Sequence, residues 1–95
     1  MMYLKELGFN EEIINSMCEN IPALAVEKLI ENEETVTTNI NYLIELGVTN
    51  YVDAFVRFYN MFLIDTQTFD EVFSKYDRED LVAKLEKNVA IMEYL

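Results

Sequence analysis

"YLKELGF" (Tyr3–Phe9) returns 39 residues later as "YLIELGV" (Tyr42–Val48), with five of seven positions identical. In each copy Leu-x-Glu-Leu reads as the end of a helix, and the glycine after it reads as the residue just beyond. Glycine suits that place because the chain there turns through the left-handed region, which penalises a Cβ. The apolar residue that follows, Phe9 or Val48, can pack back on the last turn, and Asn10 or Asn50 then starts a new helix. The phrase is thus a helix corner. The match continues beyond it, with Ile13 in register with Val52, Met17 with Val56 and Leu24 with Leu63. A shared corner and a shared apolar pattern divide the single domain, residues 1–95, into two repeat-like units, 3–41 and 42–95, of a length common in helical repeats.

Helical spacing runs along the rest of the chain. Ile13, Ile14, Met17, Cys18 and Ile21 share one side of a helix that Asn10 caps, with Glu11 and Glu12 in its first turn. Pro22 ends it, because the residue before a proline is pushed out of the α region. A short helix carries Leu24, Val26, Leu29 and Ile30. Asn32 then caps a longer one, whose buried stripe is Val36, Ile40, Leu43 and Ile44. Thr68 to Glu71 has the Ser/Thr-x-x-Glu form of a capping box. Asp77 caps a last helix, with Leu81, Val82, Leu85, Val89 and Met92 on its buried side and Asn88 within that stripe. With Gly8, Gly47 and Pro22 as the whole stock of glycine and proline, a protein of many tight β-turns is excluded. The expected fold is all-α, a short two-unit bundle of about six helices.

"YVDAFVRFYNMFLI" (Tyr51–Ile64) stands apart. Plotted as one helix, Asp53, Arg57 and Asn60 form a narrow polar strip and nearly everything else is apolar. That arc is about twice the width of an ordinary surface helix. The first unit can cover Val52, Val56, Tyr59 and Leu63, and the C-terminal helix can cover Phe55 and Phe62. Tyr51, Phe58 and Met61 are left over, and aromatic residues and methionine are enriched at interface cores. These three are the candidate partner-binding residues, for a partner protein or a homodimer seam; the alternative is burial of all three in the monomer.

Eighteen carboxylates against seven Lys and Arg, with no histidine, give a net charge of −11. Such a surface repels phosphate backbones and anionic lipid and attracts basic partners. Its densest acidic runs hold Glu31, Glu33 and Glu34, and Asp77, Glu79 and Asp80, the candidate acidic surface. Neither run has the alternation and central glycine of a calcium-binding EF-hand loop, and helix capping accounts for them. The residues for a catalytic triad, a zinc site or a glycine-rich phosphate loop are missing. No metal or other cofactor is expected. One cysteine forbids an intrachain disulfide and points to a reducing, cytoplasmic setting. Cys18, at the edge of its apolar stripe, reads as a buried structural thiol. No signal peptide opens the chain, and its longest apolar stretch, Ala54 to Ile64, is far short of the roughly 20 residues that span a bilayer.

The corner Leu43, Leu46, Gly47, and the run Leu4, Leu7, Gly8, Ile13, Ile14, Ile21, Pro22, Leu24, resemble the repeats of the mitochondrial transcription termination factor (mTERF) family. The resemblance covers most of residues 3–64. It implies a curved helical solenoid whose basic concave face holds nucleic acid. This chain departs from that pattern in having two repeats, in the sign of its charge, and in carrying Met61 where a second proline belongs. The fold implication stands beside these departures; direct nucleic-acid binding is not expected. The function read from the residues is a non-catalytic, acidic protein-binding module, an adaptor or regulator. The alternative is an acidic inhibitor that imitates nucleic acid, of the anti-CRISPR kind, aimed at a nuclease or another basic nucleic-acid-binding protein.

Overall fold

Both corners close with the same hydrogen bonds in a computed structural model covering Met1–Leu95. Gly8 and Gly47 have φ of 99° and 102°. The amide of Phe9 donates to the Leu4 carbonyl at 3.1 Å, and that of Val48 to Leu43 at 3.1 Å. The glycine amides donate to Lys5 and Ile44 at 3.2 and 3.1 Å. This is the Schellman arrangement, in which the two residues past a helix satisfy its last free carbonyls. Leu4, Phe9, Leu43 and Val48 are all buried beneath their corners.

The chain forms six α-helices and three 3₁₀ segments, with no strand. The all-α expectation is met. A 3₁₀ segment, Met2–Leu7, leads to the first corner. Then come α1 (Glu11–Asn20), α2 (Ala23–Glu31) and α3 (Glu33–Leu46), which ends at the second corner. Beyond it lie α4 (Tyr51–Phe58), a 3₁₀ segment (Tyr59–Leu63), α5 (Thr66–Ser74), α6 (Arg78–Lys87) and a last 3₁₀ segment (Val89–Tyr94). Asn10 caps α1 by accepting from the Ile13 amide at 2.8 Å. Ile21 is extended ahead of Pro22, as a residue before proline prefers. Asp77 caps α6, accepting from the Asp80 amide at 3.1 Å.

Other boundaries differ from the sequence reading. Asp65, not Thr68, caps α5: its carboxylate accepts from the Thr68 amide at 2.9 Å and from the Thr68 hydroxyl at 2.8 Å. Thr68 therefore lies inside the first turn. Asn32 donates back to the Lys28 carbonyl at 2.8 Å, so its side chain serves the end of α2 rather than the start of α3. The last helix stops at Lys87, and Asn88 is exposed and caps the 3₁₀ segment beyond it by accepting from the Ala90 amide. Ile44 is 38% exposed, at the outer edge of the α3 stripe.

The largest difference concerns Tyr51–Ile64, which is not one helix. The α-helical run stops at Phe58, where the backbone adopts φ −130° and ψ 41°. Buried Asn39 of α3 holds the far side of this kink, its Nδ2 donating to the carbonyls of Phe62 at 3.0 Å and Ile64 at 2.9 Å. The kink brings the rings of Phe55 and Phe62 edge to face at 5.1 Å. On a straight helix their Cα atoms would stand about 10.5 Å apart. Phe9, Phe55, Phe62, Phe69 and Phe73 then form a continuous chain of rings, with the remaining centroid spacings 5.4, 5.4 and 4.7 Å. Tyr51 sits edge-on to Phe9 at one end and Tyr42 edge-on to Phe69 near the other. This aromatic line threads a single cluster of 18 buried apolar residues drawn from both units.

The two corner glycines face different surroundings. A Cβ on Gly47 would meet open space, whereas one on Gly8 would run into the Tyr51 hydroxyl. Gly47→Ala is expected to cost about 1 kcal/mol, the backbone penalty alone. Gly8→Ala should cost clearly more, because it also displaces Tyr51. Urea denaturation of both variants checks the order; equal losses would show that the Tyr51 contact carries no weight.

Candidate functional site

All six candidate acidic residues, Glu31, Glu33, Glu34, Asp77, Glu79 and Asp80, are exposed. They lie at helix ends: Glu31 closes α2, Glu33 and Glu34 open α3, and Asp77, Glu79 and Asp80 belong to the cap and first turn of α6. Acids in first turns complement the helix dipole. Only three carboxylates of the eighteen in the chain form ion pairs, Glu11 with Lys5, Asp53 with Arg57 and Asp80 with Lys84. Arg78 is committed elsewhere: its Nε and Nη2 donate to the Leu46 and Glu45 carbonyls at 3.0 and 2.8 Å, tying α6 to the end of α3. Fifteen carboxylates are therefore left without a cationic partner. Hydrogen bonding to Lys5 holds the Glu11 carboxyl below its usual range, and the Thr68 amide does the same for Asp65. No group of three or more Cys, Asp or Glu side chains is placed to hold a metal ion.

Tyr51, Phe58 and Met61 are each partly buried and packed against the core, with part of each side chain still exposed. The Tyr51 hydroxyl donates to the Leu7 carbonyl at 2.6 Å, pinning α4 to the first corner. The Arg57 guanidinium lies over the Phe58 ring, 5.6 Å from its centroid. The kink at Phe58 is what turns the wide apolar arc inward. Exposed large apolar side chains lie elsewhere, Leu24 (71% exposed) and Ile30 on α2 and Tyr94 (81%) near the C-terminus among them. Cys18 is exposed as well, not a buried thiol, because it falls just beyond the face of α1 defined by Ile14 and Met17.

A feature that the sequence reading missed lies between α1 and α4. The two helices meet only loosely, since α1 rests on the N-terminal 3₁₀ segment. An open groove of about 510 Å³ remains between them, floored by Ile13, Val52 and Val56. Glu12 and Asp53 flank it, with Ser16 and Asn50 completing the walls. All three floor residues are partly exposed. The signal was the register between Ile13 and Val52, which the repeat places at matching positions on the first helix of each unit. Both pack against the core, as expected, and in the fold they also line the gap. Asn50 does not cap α4. Its Nδ2 donates to the Leu85 carbonyl at 2.9 Å, which fixes the amide and leaves Oδ1 buried without a partner.

The repeat tyrosines make different contacts, and both have raised hydroxyl pKa values. Tyr3 reaches α2, donating to the Leu29 carbonyl at 2.7 Å, and Tyr42 packs on Phe69 and Phe73 of α5. Burial pushes the Tyr42 hydroxyl up, and the Asp70 carboxylate adds to the shift. Burial first, and the Glu33 carboxylate second, raise Tyr3 from 10.0 to about 12.

With this geometry in view, the chain matches no family model, no curated protein and no solved structure. No helix is long and apolar enough to cross a membrane.

The Tyr3 shift has a defined consequence. Its neutral phenol is the donor, and its folded value lies above the unfolded one. The stability it contributes is complete below pH 10.0 and is lost as the pH rises through about 12. Tyr3→Phe should therefore be less stable than the wild type at neutral pH, with the gap narrowing across that alkaline window. Urea denaturation of both proteins from neutral to alkaline pH checks this; a gap that does not change would contradict it.

Proposed function

We propose that this protein is a non-catalytic binding module for a basic protein. The observation that carries the reading is an apolar groove flanked by acids on a surface where fifteen carboxylates lack cationic partners. Uncompensated acids raise the rate of encounter with a basic partner and select against acidic ones. An apolar floor supplies the short-range part that salt does not screen. The residues also favour binding over catalysis: the chain has no histidine to act as general base or to activate its one cysteine.

A second reading, an acidic inhibitor that imitates nucleic acid, is favoured by the same unpaired carboxylates. It differs in what holds the partner. A mimic binds through charge alone, whereas an adaptor retains apolar contact. Direct nucleic-acid binding is disfavoured, because only seven Lys and Arg stand against eighteen carboxylates and Arg78 is tied to the end of α3. Few cations remain to displace counterions from phosphates.

Capture from lysate of the source cell, at about 50 mM and about 500 mM salt, separates the readings. The module should retain basic proteins at low salt and keep a substantial fraction at high salt, while a mimic should lose nearly all. Retention of no basic protein at low salt would overturn both. A mobility shift of DNA or RNA by micromolar protein at about 150 mM salt would replace them with direct nucleic-acid binding.

A further inference from the structure

The groove between α1 and α4 carries more than a general preference for basic partners. Building on the binding-module reading, we propose that it seats one face of a basic amphipathic helix from a partner protein. Its walls are α-helices, whose backbone groups are satisfied within the fold, and the protein has no strand edge to offer. An extended peptide would find no backbone ladder there, so its own amides would lose water without replacement. A helical ligand satisfies its backbone internally and presents only side chains.

Dimensions and chemistry agree with that occupant. The groove is lined from Glu12 to Ser16 on α1 and from Asn50 to Val56 at α4, walls of about 6 and 9 Å, the length of one to two helical turns. Ile13, Val52 and Val56 offer a narrow apolar floor, suited to aliphatic side chains spaced i, i+4, i+7. Glu12 on α1 and Asp53 on α4 stand where the flanking residues of such a helix would carry Lys or Arg. Glu19 extends the acidic side of α1 along the same stripe, one turn past Ser16. The Asp53–Arg57 pair is long, at 4.0 Å, with both side chains about half exposed, so an incoming cation can compete for Asp53. A second copy of this chain is a poor occupant, because each copy brings a net charge of −11 to the seam.

The test uses the full chain and a defined probe, a synthetic helical peptide of about 18 residues. One face carries leucine at i, i+4, i+7 and i+11, with Lys and Arg on the flanks. A scrambled peptide of identical composition is the control. In an NMR titration the patterned peptide should bind at least roughly tenfold more tightly than the scrambled one, and should shift amides in 12–16 and 50–56. Val52→Ser should weaken binding roughly tenfold, the worth of one buried valine, with an unchanged thermal melt. Should that variant melt early, Glu12→Gln, at an exposed position, serves in its place and should weaken the patterned peptide more than the scrambled one. Equal binding of the two peptides, shifts spread over the acidic surface, or no binding to the groove would overturn the proposal. Capture of a basic protein from lysate alongside any of those results would leave the binding-module reading standing and the groove wrong.

Discussion

The side-chain amide of Asn39 reaches across to the carbonyls of Phe62 and Ile64, and the arrangement of the second unit hangs on that reach. Asn39 is 1% exposed, the one polar residue in an otherwise apolar interior. A buried amide is costly unless it is bonded, and a bonded one fixes geometry. Here it holds the 3₁₀ segment beyond the kink at Phe58 against α3. Phe62 is thereby set between Phe55 and Phe69, and the line of rings joins the first corner to α5.

The character of the surface is a consequence of this kink. A straight helix from Tyr51 to Ile64 would leave an apolar flank exposed. With the chain turned inward, Phe55 and Phe62 are buried completely and Tyr51, Phe58 and Met61 partly. The outside carries carboxylates, most of them without cations, scattered apolar side chains such as Leu24 and Tyr94, and the shallow gap where α1 and α4 fail to close. Charge acts at long range and the gap at contact. Together they suit a ligand that carries both positive charge and an apolar face.

Several local features were legible in the sequence because their causes are local, although Asn32 turned back to the Lys28 carbonyl and Asp65 took the cap assigned to Thr68. The glycines after Leu-x-Glu-Leu, Asn10 before two acids and the aspartate before "RED" each make bonds within a few residues, and each forms as read. Features set by distant partners were not legible. Asn39 bonds carbonyls 23 and 25 residues away, and nothing in its neighbourhood announces this. Asn50 looked like Asn10, but the Leu85 carbonyl 35 residues on draws its amide away from α4. The apolar spacing from Tyr51 to Ile64 is compatible with one helix, and only packing against α3 breaks it. The groove was hidden for the same reason: periodicity marks Ile13 and Val52 as inward-facing but does not say that their helices stand apart.

If the Asn39 amide organises the second unit, replacing it with an apolar side chain of the same heavy-atom branching should expose that dependence most directly. Urea denaturation of Asn39→Leu is the measurement. Leaving two inward-facing carbonyls without donors should lower the unfolding free energy by about 2–4 kcal/mol. A change within about 0.5 kcal/mol, the range of an ordinary surface substitution, would show that ring packing alone sets the kink and would contradict the account.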